Sequence, residues 1–448
     1  MPGPDDGGTG GGGAVAGGSA GGAVAGGSAG GAVAGGTAGG AVAGGSAGGA
    51  VAGGTAGGAV AGGTAGGASG GMMAFDAGRL DCVFETPFSL GEGSADPQSQ
   101  VAVLDTGETI YAWNDPAGVR WVVQSAAGVL GAPQTDVGTL PPGTSLAANG
   151  NRALLVYGQT TPQLRARRYS NGTWSAGEPV PPTPQGFGSV LTALEPSGAA
   201  SVWRQDTAQM APWFEATTDG TSAFTVANVV DAGYVFGAQR ASGTRLFVTL
   251  STLSSTPAVV TVSAAGETRT PLQGAMLTEA FHAALADDGT AVVAGTFNLG
   301  NVGTGAMLRT GGTFGAPQFI APSVRTLGAL AGPGGRGAVI WLGNQVVYLS
   351  RTMGSTWSSP QLLVMTNTIL PRFSRTTASR GLLHYYDAMG LPQRLEVTVD
   401  GVVGAPTPSA LPGAVFGTEY AGAGTRAAAI ATNFAPDGGY LIRASQCR

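Results

Sequence analysis

An all-β, eight-bladed β-propeller behind a disordered Gly-rich tail is the fold this sequence predicts, and three observations predict it. Turn signals recur at Gly107, Gly150, Gly198, Gly243, Gly289, Gly335, Ser379 and Gly424, with gaps of 43, 48, 45, 46, 46, 44 and 45 residues. Each signal is followed by a short apolar run, in most units ending in an aromatic residue. The last unit lacks its final strand, and a segment with the spacing of that strand stands at the other end of the repeats. A period of this size, with room for four short strands, is the mark of propeller blades. A seven-bladed ring is the alternative if one unit is misread.

The chain divides into residues 1–78 and 79–448. Residues 12–65 are six copies of Gly-Gly-Ala-Val-Ala-Gly-Gly-Ser/Thr-Ala, and the only charges before Asp76 are Asp5 and Asp6. No side chain there is large enough to offset the entropy of ordering, so the segment reads as a disordered tether. The nine-residue calcium repeat of RTX proteins needs a periodic Asp that this one lacks. The remaining length is ample for a closed ring of blades.

Within each unit the strands are read as a, b, c and d. Strand b is the clearest: Ile110-Tyr111-Ala112-Trp113, Leu154-Leu155-Val156-Tyr157, Ser201-Val202-Trp203, Val339-Ile340-Trp341 and Leu383-His384-Tyr385. Such runs are apolar on both faces, as expected of strands covered by a neighbouring blade on each side. Unit four has Thr249 in place of the aromatic. Strand d carries an apolar residue followed three positions later by Pro, as in Leu130…Pro133, Phe314…Pro317, Trp357…Pro360 and Val403…Pro406. Pro has no N–H to donate and fits an edge strand, which strand d is.

In the last unit, Val415–Tyr420, Ala428–Thr432 and Gly439–Ser445 supply strands a, b and c. Phe84-Glu85-Thr86-Pro87 has the strand-d spacing, so a strand over 83–90 is expected to complete that blade. The two cysteines, Cys82 and Cys447, flank this junction, where an intact unit has its c–d turn. A disulfide between them replaces the missing turn and locks the ring; two unpaired buried thiols are the alternative. The disulfide implies an oxidising compartment.

One c–d turn, Ser350-Arg351-Thr352-Met353-Gly354-Ser355-Thr356-Trp357, resembles the Asp box of sialidases and related BNR-repeat propellers, with Thr352 in place of the Asp. Ser170-Asn171-Gly172-Thr173-Trp174 is a shorter copy. The resemblance implies a degenerate member of that superfamily and speaks to architecture, because Asp boxes lie away from the catalytic face. It also implies where a sialidase would place an arginine triad, a Tyr nucleophile with its Glu, and an acid Asp. The Arg-Ile-Pro segment usual near the start of such propellers is missing, and no Tyr/Glu pair can be assigned.

Ligands of propellers meet the d–a and b–c connections on one face of the ring. Candidate binding residues there are Arg204, Asp206, Glu279, Arg325, Arg372 and Asp387, with Asp115 and His282 nearby. Three arginines on one face suit a carboxylated sugar, although solvated loop residues are the commoner outcome. No catalytic residue is assigned. No cofactor and no metal are expected, since the only histidines are His282 and His384, the latter in a core run. The net charge of −5, without a basic patch, argues against nucleic acid. No run is apolar enough to cross a membrane.

Every basic residue is Arg, and the Ala, Gly and Pro richness is that of a high-GC bacterial gene. The first residues carry no signal peptide, yet a tether ahead of a β-domain resembles the segment after the lipidated Cys of bacterial surface lipoproteins. An upstream start with a signal sequence is therefore expected, with the domain extracellular or at the cell surface. The reading is a monomeric, non-catalytic recognition propeller for a glycan or a surface protein. A sialidase-like glycoside hydrolase and a structural surface protein without a small ligand are the alternatives.

Overall fold

The computed structural model describes residues 84–447 except 95–97, 160–162, 183–187, 206–212, 231–233, 251–255, 277–280, 323–324, 367–370, 409–415, 424–425 and 436–439. The tail reading for 1–78 and Cys82 lie outside the described residues. What is described forms eight antiparallel sheets of four or five strands and contains no helix. This is the eight-bladed propeller the turn period predicts.

In blades 1 to 7 the strands follow chain order from the inside outward, and blade 8 does so for its first three. The innermost strands are Ser99–Val103, Leu146–Asn149, Val190–Leu194, Tyr234–Ala241, His282–Leu285, Arg325–Gly332, Arg372–Thr377 and Phe416–Ala423, for blades 1 to 8. Each lies beside the next, and the last lies beside the first, so the ring is closed around a central channel. Strands a and c run one way and b and d the other. The a–b and c–d turns therefore share one face, and the b–c and d–a connections share the opposite face.

Closure is made as the incomplete last unit requires. Blade 8 takes strands a, b and c from Phe416–Ala423, Arg426–Phe434 and Tyr440–Cys447, and its outermost strand from Phe88–Gly93 at the other end of the domain. That strand starts a few residues later than expected. The Phe84 segment instead forms an isolated bridge to Cys447. It is pinned by the Glu85 N–H donating to the Gln446 carbonyl (2.9 Å) and Ser445 Oγ donating to the Glu85 carbonyl (2.6 Å). The Phe84 ring lies under the Arg394 guanidinium of blade 7, 4.0 Å from its carbon to the ring centre. Cys447 is buried and is not left as a free thiol.

The core is distributed between blades. Eight apolar clusters fill the eight gaps, one between each neighbouring pair. This is why strand b is apolar on both faces: Tyr111 and Trp113 face blade 8, whereas Ile110 and Ala112 face blade 2. The gap between blades 7 and 8 is the thinnest in side-chain bulk, built on Ala427, Ala429 and Ala431 with Leu382, Cys447 and Phe84.

Six of the eight turn residues, Gly107 through Gly335, have positive φ, which explains why glycine marks the period. These a–b turns also tie blade to blade. The Asp105 N–H donates to the Gly150 carbonyl (2.7 Å), Asn149 Nδ2 to the Leu194 carbonyl (3.0 Å) and the Ala331 N–H to the Ala378 carbonyl (2.8 Å). Carboxylates do the same work where Glu195 accepts from Gly243 N–H (2.9 Å) and Asp288 from Gly334 N–H (2.7 Å). Arg426 of blade 8 donates to the Gly107 carbonyl of blade 1 (3.0 Å), carrying the pattern across the junction.

The two Asp-box-like turns occupy the c–d position and share one construction. Each ends in a two-residue strand, Thr173–Trp174 or Thr356–Trp357, paired with strand c. Ser175 and Ser358 each exchange hydrogen bonds with Arg168 and Arg351, respectively. Blade 5 repeats the short strand at Thr313–Phe314. Pro133, Pro317 and Pro360 sit one residue before the outermost strand, so a missing N–H there marks its start.

Candidate functional site

The innermost strands of blades 5, 6 and 7 begin on the d–a and b–c face with His282, Arg325 and Arg372. Arg325 and Arg372 are exposed and stand at the heads of adjacent strands. Arg375 lies one turn of the pleat deeper on the blade 7 strand, and its Nη1 donates to the Ala283 carbonyl of blade 5. The blade 6 strand lies between those two, so the side chain reaches across the channel side of that strand. His282, next to Ala283, bonds through Nε2 to the Thr326 carbonyl of blade 6 (3.1 Å). A carbonyl only accepts, so Nε2 carries the proton and Nδ1 is left as an acceptor in the neutral ring.

Local backbone irregularity aims these groups. The register of the blade 7 strand shifts between Arg375 and Thr377, and that of the blade 6 strand between Thr326 and Gly328. A bulge of this kind turns a side chain out of the alternation. Gly328 is required beside it, because a Cβ there would come within 2.2 Å of the Phe373 ring.

The electrostatics follow from enclosure. Burial, together with the charges of Arg375 and Arg325, pulls the His282 pKa down to about 4 against a bond to Thr326 that pushes it up. His282 is thus neutral at pH 7. Arg375 keeps some surface toward the channel, yet protein surrounds it, and that enclosure lowers its pKa to about 10. It remains a cation. Among the described residues, no carboxylate pairs with Arg325, Arg372 or Arg375. Tyr234 heads the blade 4 strand on the same face, 55% exposed and stacked on Phe236 at 5.9 Å between ring centres.

Other expected site residues fall elsewhere. Arg204 is buried at 2% exposure within strand b of blade 3, over the Phe214 ring at 4.9 Å and donating to the Pro182 carbonyl. It is a packing residue and does not join Arg325 and Arg372. Asp387 shapes the b–c turn of blade 7, where Oδ1 accepts from the N–H groups of Met389 and Leu391 (both 2.9 Å). Asp115 does likewise in blade 1, accepting from the Ala117 N–H and from Arg120 (2.9 Å each). His384 is packed between strands against Tyr386, as its place in a core run implies. Asp206 and Glu279 lie outside the described residues. Arg375 was not foreseen, because only the bulge sends it into the channel.

No family model matches the chain, and no curated protein matches it in sequence. Among solved structures, it is similar to the BP39L lectin from Burkholderia pseudomallei, at 12% identity and TM-score 0.46, covering 70% of this chain and 98% of the lectin. A fucoside complex of the Aleuria aurantia lectin is similar at 11% identity and TM-score 0.38, covering 72% and 98%. A structure from a study of two prolyl endopeptidases is similar at 9% identity and TM-score 0.44, covering 79% of this chain and 54% of that one. With TM-scores below 0.5, none of these likenesses bears on function. The fold rests on strand order and ring closure.

Proposed function

We propose that this chain is a non-catalytic recognition propeller that binds a glycan on the d–a and b–c face at the channel mouth. The observation that supports it is the presence on that face of an exposed aromatic ring, Tyr234, and of the Arg325, Arg372 and Arg375 guanidinium groups, which no carboxylate pairs among the described residues. An aromatic face suits the apolar face of a sugar, and a guanidinium fork suits its oxygens. A glycan array with the full chain tests the reading, with Tyr234→Ala and Arg372→Ala as variants. Selective binding lost in both variants is the expected result. Hydrolysis of fluorogenic glycosides, abolished by Arg372→Ala, would move the assignment to the sialidase-like alternative. Silence in both assays would leave a structural surface protein.

We also infer that the protein works in an oxidising setting, extracellular or at the cell surface, with Cys82 bonded to Cys447. Support comes from the Phe84–Cys447 bridge, which brings the chain two residues after Cys82 against Cys447. Thiol titration of the unfolded, unreduced chain is expected to find no free thiol; two would overturn the pairing.

A further inference from the structure

Enclosed arginines outside the channel are compensated in two ways: Arg204 and Arg394 lie over aromatic rings, at 4.9 and 4.0 Å, and three others meet carboxylates. Arg240 pairs with Glu195 at 2.8 Å, Arg245 with Glu215 at 3.1 Å and Arg380 with Glu396 at 2.8 Å. Each of these carboxylates is buried. A guanidinium taken out of bulk water without a counter-charge is costly. Among the described residues Arg375 is such a group, satisfied on one side by a single backbone carbonyl. Two more cations, Arg325 and Arg372, guard its approach from the face. Their mutual repulsion is unfavourable, and nothing among the described residues offsets it. The bulges in both strands and the bare Gly328 backbone hold the arrangement in place.

We propose that the central channel is an oxyanion site, in which a small ligand carrying a carboxylate or phosphate group seats its oxygens on Arg375 between blades 5 and 7, with Arg325 and Arg372 at the entrance. This rests on the reading of that face as the ligand face, and it adds the charge of the ligand and the residue at its centre. The remaining N–H groups of Arg375 present the planar fork that matches two oxygens. The bound negative charge takes the place that Glu195, Glu215 and Glu396 hold elsewhere. It also stabilises the imidazolium form of His282, whose free Nδ1 gains a proton as its pKa climbs from about 4.

The test is calorimetric titration of the full chain with glucuronate, its neutral methyl ester and inorganic phosphate, repeated with Arg375→Gln and Arg375→Lys. Arg351→Ala, on the opposite face, serves as the control. An anion that binds the parent and control, while binding is weakened at least tenfold by Arg375→Gln, is the expected result. Glucuronate preferred over both its ester and phosphate identifies a carboxylate ligand. Phosphate preferred over glucuronate identifies a phosphate ligand. An upward shift of the His282 titration by NMR on adding the anion locates it in the channel even if a variant fails to fold. No anion binding, or binding untouched by both Arg375 variants with His282 unmoved, overturns the proposal. Array binding that ignores Arg375→Gln would sink the oxyanion site while leaving glycan recognition standing. Arg375-dependent anion binding with a silent array would do the reverse.

Discussion

His282 shows how a single buried group sets a pH response. Its pKa is about 4 in the folded chain against about 6.5 when unfolded. Between those values the unfolded chain binds more protons, so stability falls as pH drops from 6.5 toward 4 and the loss is complete below that. The loss from this residue is on the order of 3 kcal/mol. Denaturant unfolding at pH 7.5 and pH 4.5 is expected to show a smaller pH difference in His282→Asn; an unchanged difference would refute the assignment. Glu215 behaves with the opposite sign. Burial raises its pKa against the pull of Arg245. In Arg245→Met, stability should be highest at low pH and decline as pH rises through the elevated pKa, with a cost of roughly 3 kcal/mol at neutral pH. A flat profile in that variant would refute the coupling. Side-chain placement was partly legible at this scale. The aromatic of strand b was visible, but its direction was not uniform. Trp113 follows Gly107 by six residues and faces the preceding blade, whereas Trp203 follows Gly198 by five and faces the next one against Phe247. With a side-chain period of two, one residue of phase reverses the face.

The strands themselves were the most legible level, because turn glycines and apolar runs are local signals. Bulges were not, since the extra residue is dictated by the neighbouring blade. That is why Arg375 escaped notice. Arg204, by contrast, lies in regular register, and the strand-b pattern alone did not show that it packs over Phe214 and donates to the Pro182 carbonyl. In blade 5 the constraint comes from within the blade. Gly295 takes the position where other blades carry a large side chain, and a Cβ there would come within 2.4 Å of Phe281, whose ring fills the space. The joint between blades 7 and 8 has the least bulk, so its one large half-buried ring should matter. Phe84→Ala is expected to cost roughly 1–2 kcal/mol, below the ~3–5 kcal/mol of a fully buried phenylalanine. A change under about 0.5 kcal/mol by denaturant unfolding would show that Phe84 does not hold the joint.

At the level of the whole molecule, the ring is a cycle of eight similar contacts with one junction joining the two ends of the domain. The proposed Cys82–Cys447 bond across it would restrict the unfolded chain by about 5 kcal/mol in the loop-entropy picture. Reductant is therefore expected to lower the melting temperature of the parent chain and to leave Cys447→Ser unaffected; equal sensitivity in both would exclude the bond. Closure was legible because a missing strand at one end matched a surplus strand at the other. What the ring binds was not legible, since that depends on which connections meet over the channel. The shared blade also sets a timetable for biosynthesis. Phe88–Gly93 is among the first strands of the domain to leave the ribosome, yet its partner Tyr440–Cys447 is among the last. At ~5–20 residues per second the early strand waits for tens of seconds with its hydrogen-bonding groups unanswered. Its sequence, Phe-Ser-Leu-Gly-Glu-Gly, is short, charged and twice interrupted by glycine, which suits a segment that must stay unassociated until translation is nearly over.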